Sequence, residues 1–497
     1  MDIKMSDEKI DLGLAFDNSY AKELEDFYLT CSGAKAPVPE LIKLNRPLAE
    51  RIGLSNTDSE SLAQVFSGSE VSVGSLPLAQ AYAGHQFGGF SPQLGDGRAL
   101  LLGEVLDQEG KRLDIQLKGS GRTPFSRGGD GKAVLGAVLR EYILSEAMFA
   151  LDIPTTRALA VVTTGEPIYR TQYLPGAVLT RVASSHLRVG TFQYFASRGE
   201  QEKVKQLADY AIARHYSELK GSKQVYVDFL CAVRDKQAEL VAKWLLVGFI
   251  HGVMNTDNMT ISGETIDYGP CAFMDNYGAD TVFSSIDRDG RYSYSNQPVM
   301  AQWDLARLAE TLLPLLHEDQ DEAIEIATKA VTDFWDVFQH HWVTGMRAKL
   351  GLSTEEEDDF ALGEQLLESM SGEEVDFTHL FRQLADDVEK GTNESQTLFN
   401  NADKFLLWRE SWLARLARDT LSMPERIAMM NLANPIYIAR NHQVERAIEA
   451  AEQRGDYQPF EKLITVLATP YTQQADAQEY AEAAPLEFGS YTTFCGT

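Results

Sequence analysis

The stretch His251-Gly252-Val253-Met254-Asn255-Thr256-Asp257-Asn258, followed closely by Asp267-Tyr268-Gly269, decides how this chain is interpreted. The asparagine that ends the first segment and the aspartate that opens the second carry hard oxygen ligands suited to Mg²⁺ held against nucleotide phosphates. Directly after His-Gly, where small-molecule phosphotransferases of the kinase type carry a catalytic aspartate, the chain has Val253, which cannot accept a proton. An acid stands instead at Asp257, where it can serve as a general base. These residues predict nucleotide chemistry other than ordinary phosphorylation.

Residues upstream of this stretch fit a nucleotide site as well. Gly95, Gly97 and Arg98 precede a strand, where backbone N–H groups can approach phosphate and the arginine adds a planar donor fork. Lys118 ends an alternating strand and Glu141 lies within the next helix, a pairing that positions a lysine for phosphate oxygens. Taken singly, a hairpin turn and a surface lysine and glutamate are the plainer interpretations.

Four further residues complete the set. Asp130 and Gly131 are expected to open the helix that contains Glu141, where backbone amides favour an anion. Arg181 and Arg188 lie around a turn rich in serine and histidine and can neutralise phosphates. Alone, an N-cap aspartate and two ion-pair arginines explain these positions. Their order along the chain, however, is the order found in kinase-like folds, and it predicts a two-lobed α+β protein.

Hydrophobic periodicity predicts a sheet-rich N-terminal part and a helical C-terminal part. Strands are expected at 99–105, 113–118, 158–163, 168–173 and 177–182, with a turn at 164–167. Helices are expected at 41–52, 133–151, 204–216, 226–251, 302–317 and 438–454. The expected domains are an N-terminal extension over 1–80, an N-lobe over 81–190, a C-lobe over 191–430 and a C-terminal helical extension with a tail over 431–497.

Composition narrows the class of protein. The 497 residues exceed what one hydrophobic core usually organises, and 45 basic against 73 acidic side chains give a net charge of −28. Such an acidic chain argues against nucleic acid or an anionic membrane as a main partner. The four cysteines are too few for a secreted disulfide scaffold, and the first twenty residues lack a signal or transit pattern. We therefore expect a cytoplasmic protein.

Four segments resemble the selenoprotein O family over nearly the whole chain: GHQFGGFSPQLGDGRALLLGE (84–104), LKGSGRTPFSRGGDGKA (117–133), HGVMNTDNM (251–259) and IDYGPCAFMD (266–275). The resemblance implies a kinase-like fold with the activity of a nucleotidyltransferase. Such a protein transfers AMP from ATP, or UMP from UTP, to Ser, Thr or Tyr hydroxyls of proteins. The nucleotide lies reversed relative to that in kinases, with its α-phosphate toward the acceptor.

The resemblance also implies roles for individual residues. Mg²⁺ or Mn²⁺ is expected on Asn258 and Asp267, with Asp257 as the proton acceptor. The nucleotide contacts carried over are Gly95, Gly97, Arg98, Lys118, Asp130, Gly131, Arg181, Arg188 and Asp267, and Glu141 is expected to orient Lys118.

Some members of the family carry selenocysteine near the C-terminus, where this chain has Cys495. The family suggests a redox disulfide between the tail and the catalytic region, with Cys271 as the natural partner of Cys495. An inert buried Cys271 and an unpaired Cys495 are the alternative. Two functional alternatives also remain at this point, a kinase that transfers the γ-phosphate and a nucleotide-binding pseudokinase without catalysis.

Overall fold

A computed structural model describes residues 9–493 and shows a mixed α+β protein. Within these residues the strands are β1 (Tyr28–Thr30), β2 (Glu40–Leu44), β3 (Leu78–Gln80), β4 (Gly84–Gln86), β5 (Gly89–Ser91), β6 (Ala99–Leu106), β7 (Arg112–Lys118), β8 (Ala133–Val134), β9 (Arg157–Tyr169), β10 (Tyr173–Ala183), β11 (Phe249–Ile250) and β12 (Ala272–Phe273). Most belong to one antiparallel sheet of order β1-β3-β6-β7-β10-β9-β2, with β8 paired to β10.

Helices dominate the chain after β10. In the described part they are α1 (Ser19–Glu23), α2 (Arg46–Arg51), α3 (Ser59–Phe66), α4 (Leu135–Ala150), α5 (Val189–Ala196), α6 (Gln201–His215), α7 (Val225–Leu246), α8 (Gln297–Leu316), α9 (Gln320–Thr332), α10 (Phe334–Leu350), α11 (Asp359–Met370), α12 (Phe377–Lys390), α13 (Asp403–Leu416), α14 (Met423–Ala433), α15 (Asn441–Arg454), α16 (Gln458–Leu467) and α17 (Gln478–Ala481). Across residues 9–493, no helix combines the length and the apolar character needed to cross a bilayer.

Strand β7 shows how the sheet separates its core from its polar site. Leu113, Ile115 and Leu117 alternate onto one face and pack in a hydrophobic cluster with residues of α2 and α3. Because side chains alternate across a strand, Gln116 and Lys118 lie on the opposite face. On that face helix α4 packs, as part of a larger core that continues into the helical region.

The chain between β11 and β12 contains the two segments 251–258 and 267–269 that predicted cation binding and proton transfer. These strands pair antiparallel, Phe249 with Phe273 and Ile250 with Ala272. The intervening loop, 251–271, is therefore held at both ends against the helical core. Its inner part is tied by His251, whose ring lies on Trp244 at 5.4 Å between centroids and whose Nε2 is 2.8 Å from the Ile266 carbonyl oxygen. His251 thus has a structural role in shaping this loop.

Several sequence predictions are corrected by the structure. The region 41–52 is not one helix: β2 pairs with β9, and α2 begins only after Asn45, whose side chain accepts a hydrogen bond from Leu48 N. The predicted turn at 164–167 is a bulge inside one long strand, since Thr163 pairs with Ala177 while Pro167 pairs with Pro175. Gly165 and Pro167 correctly indicated an irregular backbone. Because the segment pairs with β10 on both sides, the irregularity is a bulge and not a turn.

Two helix boundaries also differ from the prediction. Helix α4 begins at Leu135 and not at residue 133, because Ala133 and Val134 pair with β10. Asp130 and Gly131 therefore do not open the helix. Helix α7 ends at Leu246, and the chain then turns at Gly248, which has a φ of 72°. The strands predicted at 99–105 and 113–118 and the helices predicted near α6, α8 and α15 are confirmed to within a few residues.

Candidate active site

A cleft of about 410 Å³ brings the predicted residues together. One side is formed by the loop before β6, the end of β7 and the glycine-rich segment 125–132, and the other by the loop 251–271. The cleft is lined by every residue that was predicted to bind the nucleotide, to bind the cation or to accept the proton. They are Gly95, Gly97, Arg98, Lys118, Asp130, Gly131, Arg181, Arg188, Asp257, Asn258 and Asp267. Glu141 lies behind Lys118 and faces a second cavity beside α4.

A buried network of two cations and two carboxylates forms the floor of the cleft. Lys118 Nζ lies 2.6 Å from Glu141 Oε2 and 2.5 Å from Asp267 Oδ1. Arg181 Nε donates to Glu141 Oε1, and Arg181 Nη2 lies 2.8 Å from Asp267 Oδ1. The expected Lys118–Glu141 pair is thus present, and Arg181 shares the same glutamate. Each carboxylate contacts both cations, as the cost of burying charge requires.

Sheet register explains why the two cations converge. Lys118 lies opposite Leu179 on the neighbouring strand β10, and Arg181 is two residues further along that strand. Residues two apart in a strand share a face, so both cations point toward α4. Glu141 is on the buried face of α4 and is about as inaccessible as the apolar core. The network is therefore fixed by two strands and one helix together.

The network also sets the charge of its carboxylates. Burial disfavours the ionised form of Asp267, but Lys118, Arg181 and Arg98 outweigh burial and hold the pKa of Asp267 well below its usual range. Burial is likewise outweighed at Glu141, where Arg181 and Lys118 lower the pKa. Both groups are ionised at neutral pH. Asp267 adopts a left-handed backbone conformation with a φ of 67°, which turns the chain toward Gly269.

Asp257 has a different environment, although it lies in the same cleft. Asp257 is only 8% exposed. Its Oδ1 is buried and has no hydrogen-bond partner among residues 9–493. Its Oδ2 accepts from Gln86 Nε2 at 3.4 Å, and Arg188 Nη1 donates to its backbone carbonyl at 3.2 Å. Burial raises the pKa of Asp257 to about 6, against the opposing charge of Arg188. A carboxylate with this pKa is a stronger base than a solvated aspartate.

The expected cation ligands provide two oxygen donors. Asn258 Nδ2 donates to the Val253 carbonyl at 3.0 Å, which leaves the amide oxygen as the acceptor available to a cation. Asp267 is ionised, as a ligand for a hard cation must be. The described residues contain no group of three or more His, Cys, Asp or Glu side chains placed to hold a metal. The remaining ligands of a cation here would have to be phosphate oxygens and water.

The glycine-rich walls of the cleft depend on missing side chains. A Cβ at Gly95 would lie 2.3 Å from the Phe125 ring, and one at Gly131 would lie 2.1 Å from the Gly121 carbonyl oxygen. Both glycines have positive φ. Asp130 is held away from the helix by Arg170, which donates to its two oxygens at 2.8 and 3.1 Å. These contacts fix the backbone of Gly95, Asp130 and Gly131, all three of which line the cleft.

Sequence reasoning missed Asp96 and Tyr82, which surround Arg188. The Arg188 guanidinium lies over the Tyr82 ring at 4.3 Å from its centroid and 4.0 Å from Asp96 Oδ1. Asp96 is fully buried and accepts from Gln80 N at 3.0 Å. The sequence offered one indication of Asp96, which is its position between Gly95 and Gly97. An aspartate in such a loop is ordinarily expected to be solvated. The burial of Asp96 depends on β3 and β7, whose Gln80 and Gln116 both donate to Asp96 Oδ2 and which sequence patterns alone do not bring together.

Cys271 is buried next to this site, and the burial raises the pKa of its thiol to about 12. Its carbonyl accepts from Arg140 Nη2 at 2.6 Å. The end of the described chain lies beside it, since Thr493 Oγ1 donates to the Pro270 carbonyl at 2.8 Å. Cys495 lies outside the described residues, so the Cys271–Cys495 disulfide remains a prediction.

The fold and the cleft define an α+β protein with a cleft of about 410 Å³, lined by the cationic side chains of Lys118, Arg181 and Arg188 and by Asp257, Asn258 and Asp267. Residues 11–468 match the family described as Protein adenylyltransferase SelO. A protein of Cereibacter sphaeroides named Protein nucleotidyltransferase YdiU is 57% identical over 487 residues, 97% of this chain and 99% of the relative. Proteins of the same name from Rhizobium etli and Rhizobium meliloti are 56% and 55% identical over 97% of this chain. The chain belongs to the SelO family of protein adenylyltransferases.

Proposed function

We propose that this chain is a metal-dependent protein adenylyltransferase with a two-lobed kinase-like fold. It transfers AMP from ATP to Ser, Thr or Tyr hydroxyls of proteins, with UTP as an alternative donor. The lobes correspond to residues 81–190 and 191–430, with an extension over 1–80 and a helical extension and tail over 431–497. The observation that carries the proposal is the convergence of Asp257, Asn258, Asp267 and the cations on one cleft, in a chain of the SelO family.

In the proposed reaction the acceptor hydroxyl oxygen forms a bond to the α-phosphorus, the bond from that phosphorus to the bridging oxygen of the β-phosphate breaks, and pyrophosphate leaves. The hydroxyl proton passes to Asp257, whose burial makes its carboxylate more basic than a solvated one. Val253 lines the same cleft but has no group that can take a proton. Asp257 is therefore the base that the loop offers.

The cations position the nucleotide and balance its charge. Lys118 and Arg181 line the cleft and would bind phosphate oxygens there, and both side chains are held in place by Glu141. Arg188 is held by Tyr82 and Asp96 at a position closer to Asp257. There it donates a hydrogen bond to the Asp257 backbone carbonyl. A nucleotide carrying several negative charges needs such a local excess of cations in a chain with net charge −28.

Asn258 and Asp267 would hold the divalent cation, Mg²⁺ or Mn²⁺. When bound, it would offset the charge that develops on the phosphates during transfer. The donor set fits such an ion, since both residues offer hard oxygens and the neighbouring cations keep Asp267 ionised. Asp267 would hold the ion with a carboxylate whose Oδ1 also contacts the ammonium of Lys118, 2.5 Å away.

The label position on the acceptor tests this function. The protein is incubated with Mg²⁺ or Mn²⁺, candidate acceptor proteins and ATP labelled at either the α- or the γ-phosphate. We expect the α-label to stay on the acceptor, an added mass equal to AMP, and pyrophosphate in equal amount. Transfer of the γ-label would show a kinase instead, and nucleotide binding without any product would show a pseudokinase. Parallel reactions with UTP measure donor choice.

A further inference from the structure

The hairpin β4–β5, within the GHQFGGF segment, has an unusual turn. Its two central residues, Phe87 and Gly88, have φ values of 51° and 84°. A two-residue turn with both φ values positive favours Asn or Asp followed by Gly, because a residue with a bulky side chain costs about 1 kcal/mol in the left-handed region. The proposed transfer chemistry uses neither residue. A strained backbone is usually kept where it serves a function, so the strained Phe87 at the mouth of the cleft indicates a functional role for its side chain.

The hairpin is fixed to the loop that carries the base. His85 N donates to Thr256 Oγ1 at 2.7 Å, and Phe87 N donates to Asn255 Oδ1 at 3.1 Å. The packing is tight as well, since a Cβ at Gly84 would lie 2.6 Å from Asp257 Oδ1. Gln86 is the residue that reaches the other Asp257 oxygen. The exposed side chains of the hairpin therefore keep a fixed position beside the base.

Three exposed apolar residues, here called the apolar rim, are Phe87 and Phe90 of the hairpin and Ile286 from the chain between β12 and α8. Their exposed fractions are 37%, 42% and 53%. Phe87 and Ile286 line the cleft itself, and Phe90 packs on His85 at 4.9 Å between ring centroids. The Phe87 ring also packs against Tyr292 at 5.3 Å, which holds it at the cleft mouth. Phe87 and Ile286 thus expose apolar side chains at one cleft, and Phe90 lies on the same hairpin as Phe87, as expected of a binding surface.

We propose that the apolar rim binds the acceptor protein. This inference rests on the proposed function and names the part of the site that recognises the second substrate. The phosphates belong with Lys118 and Arg181, which contact Asp267, whereas Asp257 contacts the hairpin. An acceptor hydroxyl that gives its proton to Asp257 must therefore be carried by a chain lying on the hairpin side.

The chemistry of the rim defines the occupant. It is a segment of an acceptor protein that carries an apolar or aromatic residue beside the hydroxyl residue that receives AMP. Aromatic side chains bury a large apolar area and pack well against such a neighbour. The rim thus selects the sequence around the hydroxyl, while Asp257 acts on any hydroxyl that is brought to it.

Phe87→Asn tests the rim without removing the hairpin, because Asn-Gly is the preferred pair for this turn and the Phe87 backbone bond to Asn255 is kept. Phe90→Ala is the second variant. The matched control is Leu407→Ala on α13, a side chain that is 68% exposed and far along the chain from the cleft. Each full-length protein is given α-labelled ATP, Mg²⁺ and synthetic peptides with one hydroxyl residue flanked by Leu, Phe, Gly or Ser.

We expect the wild type to modify peptides with Leu or Phe neighbours about tenfold better in kcat/KM than those with Gly or Ser, a ratio worth about 1.4 kcal/mol. Phe87→Asn and Phe90→Ala should remove this preference, mainly through KM, and leave the Kd for ATP and the thermal midpoint near the wild-type values. Leu407→Ala should behave as the wild type.

Three results would overturn the proposal: variants that keep the preference, a wild type that modifies all peptides equally, or a wild type that labels intact proteins but no peptide. A wild type that transfers AMP to neither peptides nor proteins would instead overturn the proposed function. The two failures are therefore distinguishable in one experiment.

Discussion

Lys118 Nζ lies 2.5 Å from Asp267 Oδ1, so the residue proposed to hold phosphate directly contacts the residue proposed to hold the cation. The same carboxylate oxygen accepts from Arg181 at 2.8 Å. Two cations thus occupy one oxygen of Asp267 and keep the group ionised. If phosphate binds these two cationic side chains, Asp267 is released to bind the ion, so the proposed nucleotide and cation sites would be coupled through this contact.

Asp257→Asn is expected to lower AMP transfer by about 10²–10⁴-fold, the usual contribution of a general base. Stability should change little, since an uncharged group suits a site whose burial raises the carboxyl pKa to about 6. Transfer of the α-label and the thermal midpoint are the measurements. Asp386→Asn, at an exposed ion pair, is the control. Retained labelling by Asp257→Asn at the wild-type rate would remove Asp257 from the mechanism.

Asp267→Asn is expected to abolish the stimulation of nucleotide binding by a divalent cation. The neutral amide is a weaker ligand for the cation and also releases Lys118 and Arg181. Titration of Mn²⁺ by electron paramagnetic resonance, with and without ATP, gives the affinities, and a chelator should stop transfer by the wild type. Unchanged Mn²⁺ affinity in the variant would show that the cation lies elsewhere.

Glu141→Gln should destabilise the fold by about 3–5 kcal/mol, because removal of one charge from a buried network leaves Lys118 and Arg181 under-compensated. Urea unfolding of the full-length protein measures the change. Glu479→Gln, at an exposed pair with Arg446, should cost less than about 1 kcal/mol. Equal effects of the two variants would contradict the network as a source of stability.

Lys349→Met should stabilise the protein at neutral and acidic pH. Burial lowers the pKa of Lys349 to about 7, against about 10.4 in an unfolded chain. The unfolded state therefore binds the proton more strongly, so this lysine costs stability as pH falls from about 10 to 7, and the full cost remains below pH 7.

The gain in unfolding free energy from Lys349→Met should accordingly be largest below pH 7 and shrink toward pH 10. Contact of Lys349 Nζ with the Phe381 ring, 3.9 Å from its centroid, offsets part of the cost. Thermal unfolding at several pH values provides the comparison, with the exposed Lys404→Met as control. A gain that does not depend on pH would show that packing, and not charge, is responsible.

Oxidation is expected to join Cys271 to Cys495. Thr493 contacts the Pro270 carbonyl, and only one residue separates Thr493 from Cys495 in the sequence. Burial of Cys271 and its raised thiol pKa should make the reaction slow. Nonreducing peptide mapping after oxidant treatment measures the bond, and Cys231 provides a half-buried thiol for comparison. Two free thiols after prolonged oxidation would end this prediction.

Local pattern was sufficient for much of the fold. The alternation in β7 gave its two faces, and helical spacing gave α4 to within two residues. Pattern failed where pairing with a distant strand decided the outcome. The Thr164–Pro167 segment resembles a turn, but its neighbour β10 makes it a bulge in β9. Residues 41–44 have the sequence pattern of a helix start, but they form a strand because they pair with β9.

The candidate site followed a similar division. Residue type and order were sufficient to nominate Lys118, Glu141, Asp257, Asn258 and Asp267, because cation binding and proton transfer require particular side chains. The partnership of Arg181 with Glu141 was not foreseen, and neither was the burial of Asp96. The first depends on how β7, β10 and α4 pack together, and the second on how β3 and β7 lie in one sheet, relationships that no local spacing contains.

The sequence by itself determined the chemical groups of this protein, the approximate extent of its main elements and its place in a family. Only the tertiary structure decided how those groups act on one another. It gave two aspartates of one loop opposite properties, raising the pKa of Asp257 by burial and lowering that of Asp267 through contact with cations from two strands. The physical reason is that desolvation and charge pairing depend on distances between residues far apart in the chain, which local sequence does not encode.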